Sequence, residues 1–299
     1  MLVEKERLPR PAPLDNPTEM CYDTPYGEGS PKGGARDMKY YVVADVHGYY
    51  TYLKQALTEA GFFSETEPCK LILCGDLLDR GTEAQEVVDF MLKLLEEDRL
   101  IYVLGNHEEL LVQCLQEIAR GGIYEVSSGM SHHNRNRTWD TLLRLSEMTE
   151  ADAYRAPGEL VRRVRRSPLY ARLLTVCVDY YETPHYIFVH GWIPCRAEGC
   201  KPYTRYLYQP EWRDADEIEW SRARWYNGME LACKHGVTEA GKTIVCGHFH
   251  TSYGHAKLRR ACSEWGSDAD FSPFFAEGII ALDACAPASG RINCVVLED

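Results

Sequence analysis

The sequence predicts an α/β domain whose central sheet is buried on both faces. Three observations carry that expectation. Short β-prone apolar runs alternate with amphipathic stretches of helical length, the runs return at regular intervals, and a polar cluster follows each run at its carboxyl end. Such alternation is the mark of βαβ units, whose strands lie between helical layers and read as continuous apolar runs.

The elements follow in order. Residues 1–36 hold six prolines (Pro9, Pro11, Pro13, Pro17, Pro25, Pro31) with Gly27, Gly29, Gly33 and Gly34, and show neither helical nor strand periodicity. This stretch is expected to be an extended arm in front of a catalytic domain at 37–299. Lys39–Ala44 is the first strand, and Tyr49–Ala60 is a helix closed by Gly61. Leu71–Cys74 is the second strand. The helix over Thr82–Glu97 gathers Val87, Val88, Met91, Leu94 and Leu95 on one side. Leu100–Leu104 is the third strand, leading into a helix over His107–Arg120. Residues 121–180 read as a mostly helical, polar insert. Further strands are expected at Tyr186–Val189, Thr243–Cys246, Ile279–Leu282 and Ile292–Leu297.

Composition narrows the function classes. Of 299 residues, 45% are hydrophobic and 26% charged, the balance of a globular protein with a sizeable core. A net charge of −12 argues against stable nucleic-acid binding, which depends on phosphate neutralisation by Lys and Arg. There is no apolar run of membrane-spanning length, and Met1–Arg10 lacks the apolar stretch of a secretory leader. The 12 cysteines include no Cys-x-x-Cys pair, and Cys74, Cys246 and Cys294 end or interrupt apolar runs. They are expected to be reduced packing thiols of a cytoplasmic protein, with Cys195 and Cys200 as the pair whose spacing admits a disulfide.

The chemistry lies in the polar clusters. They are Asp45-Val-His47-Gly48, Gly75-Asp76-Leu-Leu-Asp79-Arg80-Gly81, Gly105-Asn106-His107-Glu108, His190-Gly191 and Gly247-His248-Phe-His250. Asp45, Asp76 and Asn106 are 31 and 30 residues apart, about one βαβ step each. Each step returns the chain to the same sheet edge, where α/β folds build sites. Carboxylates, an amide oxygen and imidazoles converging there suit Mn²⁺, Fe²⁺ or Zn²⁺ better than Ca²⁺. Taken singly, each piece has a plainer reading: Asp45–Gly48 as a turn, or Asn106 as a helix cap with Glu109 at the capping-box position. The joint order, with strand, loop and helix around each cluster, favours one shared site.

Together these motifs resemble the phosphoprotein phosphatases of the calcineurin-like metallophosphoesterase superfamily, over about residues 38–297 and in the compact form of the bacterial and phage enzymes. The resemblance implies a four-layer α/β/β/α sandwich of two mixed sheets with a helical insert. It implies two divalent metal ions, Mn²⁺ foremost with Fe or Zn as alternatives. Asp45 and His47 would hold the first ion, Asp76 would bridge, and Asn106, His190 and His248 would complete the second. His107 would be the general acid, held by Asp79, and Arg80, Asn106 and Arg222 would bind phosphate. Arg222 is taken from the Trp-x-Arg-x-Arg segment Trp220–Arg224. The implied reaction is phosphate-ester hydrolysis by direct attack of a hydroxide shared between the metals, with no phosphoenzyme.

A phosphorylated protein is the substrate these motifs favour, because the dinucleoside tetraphosphatase relatives usually depart from Asp-Arg-Gly and carry Asp after Gly-Asn-His. The alternative is a nucleotide phosphohydrolase, such as a symmetrical dinucleoside tetraphosphatase or a cyclic-nucleotide phosphodiesterase. A non-catalytic binding protein on the same fold would be expected to have lost ligands, and none is missing here. Three positions depart from the family pattern. Ala44 replaces a glycine, Trp192 follows His190-Gly191 and either walls the substrate pocket or packs the core, and His250 is an extra metal ligand or a support behind one. The Arg162, Arg163, Arg165, Arg166 cluster either steers anions or is a solvated helix face. His132 and His133 are expected in a polar loop, and Asp283 in a structural role beside the site.

Overall fold

The computed structural model describes residues 38–200 and 203–299, so the proline-rich stretch 1–36 lies outside the described residues. Its strands are β1 (Lys39–Val43), β2 (Cys69–Cys74), β3 (Leu100–Val103), β4 (Tyr181–Glu182), β5 (Tyr186–Phe188), β6 (Cys195–Glu198), β7 (Arg205–Tyr208), β8 (Thr243–Cys246), β9 (Phe274–Ala276), β10 (Ile279–Ala281) and β11 (Cys294–Glu298). One sheet has the order β11-β1-β2-β3, and the other β4-β5-β8-β10-β9. Both are mixed: β1, β2 and β3 run parallel with β11 antiparallel, and β5, β8 and β10 run parallel between antiparallel edges. β6 and β7 form a separate antiparallel hairpin.

Side-chain alternation along the strands makes the sandwich. On β1, Tyr41 and Val43 point to the outer helices, while Tyr40 and Val42, with Ala44 beyond the strand end, point to the second sheet. On that sheet Phe188, Val245, Ile280 and Leu282 face back, and Ile187, Ile244 and Ile279 face the opposite helical layer. A run that is apolar at every position therefore fills two cores at once. Burying each such side chain stabilises by about 1.5–3 kcal/mol.

The helices of the outer layer beside the first sheet are α1 (Tyr50–Glu59), α2 (Ala84–Glu96) and α3 (Asn106–Ala119). The insert adds α4 (Ile123–Ser127), α5 (His132–Arg135), α6 (Thr138–Ser146), α7 (Glu150–Arg155) and α8 (Pro157–Arg166). Pro157 starts α8 where its missing N–H costs nothing. Leu160, Val161 and Val164 are buried there, while Arg162 and Arg163 pair with Glu159; that part of the arginine cluster is a solvated face bound to a local carboxylate. The second sheet carries α9 (Glu217–Ala223), capped by Asp216 with Glu219 in a capping box, and α10 (Gly228–His235), stopped by left-handed Gly236.

Two expectations need correction, the place of His132 and His133 and the absence of a strand at 195–208. His132 and His133 do not lie in a polar loop: Ser131 caps a short helix there, and His133 is fully buried with Nε2 3.4 Å from Glu117. The cysteines agree with the expectation of reduced thiols: Cys195 and Cys200 are both free, as are the other described cysteines. The hairpin β6–β7 stands where no strand was expected. Among the described residues no helix is long and apolar enough to cross a membrane.

Candidate active site

The clusters meet because the strands carrying them do. Asp45 N–H donates to Gly75 O at 3.2 Å, His47 N–H to Asp76 O at 2.9 Å, and Gly247 N–H to His190 O at 2.8 Å, so the loops beyond β1, β2, β5 and β8 are laced together. At this edge the backbone is left-handed at six residues that carry side chains: Asp45 (φ 53°), His47 (50°), Asp76 (55°), Asp79 (73°), Arg80 (63°) and His248 (66°). Each costs about 1–2 kcal/mol relative to a relaxed backbone. The chain bends there to turn a functional group sideways off a strand end.

Asp76 is the centre. His47 Nε2 lies 3.7 Å and His107 Nε2 3.8 Å from its Oδ2, and His190 Nε2 lies 3.3 Å from its Oδ1. Two groups able to hold a cation share it: His47, Asp76 and His107, and Asp76, His190 and His248. Asn106 Oδ1 lies 2.7 Å from His190 Nε2 and 2.9 Å from His248 Nδ1. Asp45 stands at the same edge, with both carboxylate oxygens accepting the His248 amide N–H at 3.1 and 2.9 Å.

The donor set fits cations. His47 Nδ1 bonds the Leu78 carbonyl at 3.0 Å and His190 Nδ1 the Cys74 carbonyl at 2.8 Å. Their Nδ1 atoms therefore carry the proton, and in the neutral ring Nε2 faces inward as a lone pair. Lone pairs of His47 and His190 thus meet the Asp76 carboxylate, and His190 meets the Asn106 oxygen, acceptor against acceptor. Burial, then Arg80 and His107, hold His47 well below the usual imidazole range; burial and His190 push His248 down to about 3. Burial, then Asp283 and Asp76, push the Asp45 carboxyl well above its usual range. Asp76 is also buried, yet His190, His107, His47 and His248 outweigh that and keep its pKa low. Imidazole nitrogens and acid oxygens turned on one another in a buried site are a donor set that a divalent cation would satisfy.

Beside this cluster His107 Nδ1 bonds Asp79 Oδ2 at 2.7 Å, and Arg80 Nη2 lies 3.3 Å from His107 Nε2. Burial lowers the His107 pKa, but Asp76 and Asp79 outweigh it and the net shift is upward. Two supports were not foreseen in the sequence. Glu108, not Glu109, closes the first turn of α3. Its carboxylate accepts N–H from Gly105 at 2.8 Å, Asp76 at 3.0 Å and Leu77 at 2.9 Å, tying α3 to the loop after β2. Thr138 and Thr141 of α6 donate to Asp79 Oδ2 and Oδ1 at 2.7 and 2.5 Å. Glu108 could have been found from its place three residues after Gly105; the threonines carry no local signal.

Some expected site residues stand elsewhere. His250 is in neither ligand group: its Nε2 pairs with Glu264 at 3.0 Å, its ring lies against Phe249 and Trp265, and it acts on Asp283 beside the site. A charged acceptor and two aromatic faces outcompete the ligand position. Arg222 is exposed and lines a cavity of about 600 Å³ with Pro194, Tyr208 and Tyr226, a lining without any cluster residue. Arg224 is buried between Glu109 and Asp179, which removes it from substrate binding. Trp192 is core: it is 1% exposed and donates Nε1–H to Val237 O at 3.0 Å. Asp283 accepts the Cys285 N–H at 2.7 Å, a structural bond.

The calcineurin-like phosphoesterase family model matches residues 38–278. The chain belongs to this family. The family's name gives its reaction class, hydrolysis of phosphate esters. Among relatives, a symmetrical bis(5'-nucleosyl)-tetraphosphatase of Erwinia tasmaniensis is 36% identical over 132 residues, 44% of this chain and 39% of that protein. An asymmetrical bis(5'-nucleosyl)-tetraphosphatase of Bacillus velezensis is 28% identical over 139 residues, 44% of this chain and 51% of that protein. Serine/threonine-protein phosphatase 2 of Salmonella typhimurium is 26% identical over 213 residues, 71% of this chain and 80% of that protein. This calcineurin-like phosphoesterase thus spans about half or less of the length of the first two relatives.

Proposed function

We propose that this phosphoesterase is a phosphomonoesterase acting on phosphoserine and phosphothreonine in proteins, with Asp45, His47, Asp76, Asn106, His190 and His248 holding two divalent cations, Mn²⁺ before Fe or Zn. The observation that carries the monoester reading is His107, set between Asp79 and Arg80 beside Asp76. Such cations, when bound, polarise phosphate oxygens and acidify water. The protein's own groups do the rest. Arg80 offers a planar, permanently charged fork to the phosphate. The P–O bond to the leaving group breaks as water's oxygen bonds phosphorus, and the leaving oxygen takes the proton from His107 Nε2. Asp79 holds Nδ1–H and stabilises the imidazolium that supplies that proton.

The protein substrate is favoured by the extent of the Salmonella phosphatase match, which spans 71% of this chain against 44–56% for the dinucleotide hydrolases. A second reading, hydrolysis of dinucleoside polyphosphates, has the higher local identity and a cavity with Arg222, Tyr208 and Tyr226 in its lining. Mn²⁺-reconstituted enzyme assayed against phosphopeptides, diadenosine tetraphosphate and cyclic AMP separates them. Phosphopeptide turnover supports the proposal; efficient cleavage of the dinucleotide with phosphopeptides untouched overturns it.

A further inference from the structure

We propose that Thr138 and Thr141 are positioning residues for the hydrolysis, so that the helical insert forms part of the catalytic apparatus. The inference rests on the reading of His107 as general acid.

Asp79 is 3% exposed and accepts three hydrogen bonds. Oδ2 takes His107 Nδ1–H at 2.7 Å and Thr138 Oγ1–H at 2.7 Å; Oδ1 takes Thr141 Oγ1–H at 2.5 Å. Helical threonines commonly donate to their own helix, four residues back. Thr141 Oγ1 lies 3.3 Å from that carbonyl, of Arg137, and much closer to Asp79. Its hydroxyl has been diverted to the carboxylate. A spacing of three puts both hydroxyls on one face of α6. Left-handed Arg137 (φ 65°) begins the helix immediately before Thr138. Both threonines are buried, 0% and 4% exposed, and come from 59 and 62 residues beyond Asp79.

The consequence is directional. A carboxylate held by one bond can rotate about its last torsion. Anchored through both oxygens, Asp79 has its plane fixed, and with it the direction of the His107 Nδ1–H bond. Nε2 is thereby aimed past Arg80 at the edge where Asp76 stands. α6 packs on α3, which carries His107, and on α8. The insert and the acid-bearing helix thus grip the dyad from two sides.

The experiment compares Thr138→Val, Thr141→Val, their serine counterparts and His107→Asn in the Mn²⁺-reconstituted full chain, on phenyl phosphate (poor leaving group) and p-nitrophenyl phosphate (good one). Valine keeps shape and removes the donor. Each valine variant is expected to lose about 10-fold in kcat on phenyl phosphate, with KM within about twofold and little loss on p-nitrophenyl phosphate. Serine is expected to restore the rate. The low-field His107 Nδ1 proton, read by NMR in the chain loaded with diamagnetic Zn²⁺, is expected to shift in the valine variants and return in the serine ones, an indication independent of turnover. Thermal melts identify any variant that does not fold, and the single substitutions and serine variants then decide. Equal losses on both substrates, unchanged rates, or an unshifted Nδ1 proton would overturn the inference. If His107→Asn itself loses equally on both substrates, the general-acid reading fails, and the Nδ1 proton alone then decides whether the threonines orient the ring.

Discussion

Gly247→Ala tests whether the cluster depends on close approach of backbone to carboxylate. A Cβ at this position would lie 2.1 Å from Asp45 Oδ2 and 2.6 Å from Ala44 Cβ, where ordinary contact begins at 3.4 Å. Gly247 is not left-handed, so backbone strain does not enter. The carboxylate must retreat by about 1.3 Å, the difference between 3.4 and 2.1 Å, and in doing so it leaves the His248 N–H that both its oxygens accept. A hydrogen bond contributes about 0.5–1.5 kcal/mol and overpacking costs about 1–3 kcal/mol, so a loss of about 2–4 kcal/mol is expected. For a chain this long that lowers Tm by about 10 °C. Urea denaturation measures the first, and titration calorimetry with Mn²⁺ should show weaker binding at the same time. Stability within about 0.5 kcal/mol of the parent with an unchanged Mn²⁺ isotherm would refute the close-packing account.

Further outcomes follow from the same contacts. Asp76→Asn should lower Mn²⁺ stoichiometry by metal analysis at both positions, since Asp76 belongs to both ligand groups; unchanged stoichiometry would remove it as the shared ligand. Arg224→Ala leaves Glu109 and Asp179 facing each other without their cation, and a loss of about 3–5 kcal/mol in urea denaturation is expected. Glu182 is paired with Arg213 and Lys242, which outweigh burial and lower its pKa. Its contribution is therefore complete above the ordinary carboxylate pKa of 4.5 and disappears as pH falls through the lowered folded value. Glu182→Gln should flatten the acid limb of the stability curve, and an unaltered limb would discount the pairing.

The order of strands and the residues at their ends were legible because both are local. Apolar runs such as Leu71–Cys74 announce themselves, and the motif after each run needs only the next βαβ step to find its place. What escaped was either short or distant. β4, β9 and the hairpin β6–β7 have two to four residues each, too few for a period to register. Cys195–Glu198 is also largely exposed, so no alternation marks it. His133 looked polar because its sequence neighbours are polar, yet tertiary packing around Glu117 buries it. Thr138 and Thr141 reach Asp79 across about 60 residues, and a threonine in a helix does not show which partner its hydroxyl will choose. A similar competition draws His250 to Glu264 and Trp265, which its sequence neighbours do not announce.

The left-handed backbone at Asp45, His47, Asp76, Asp79, Arg80 and His248 has a consequence for how this chain can drift. Glycine would relax each of these positions, so the substitutions that most ease the fold here are also those that delete a candidate ligand, the proposed partner of His107 or the proposed phosphate arginine. A sequence evolved for heat resistance alone would lose its chemistry first. All six side chains are held at uncomfortable angles at the one edge where the candidate site lies, so here stability and chemistry pull in opposite directions.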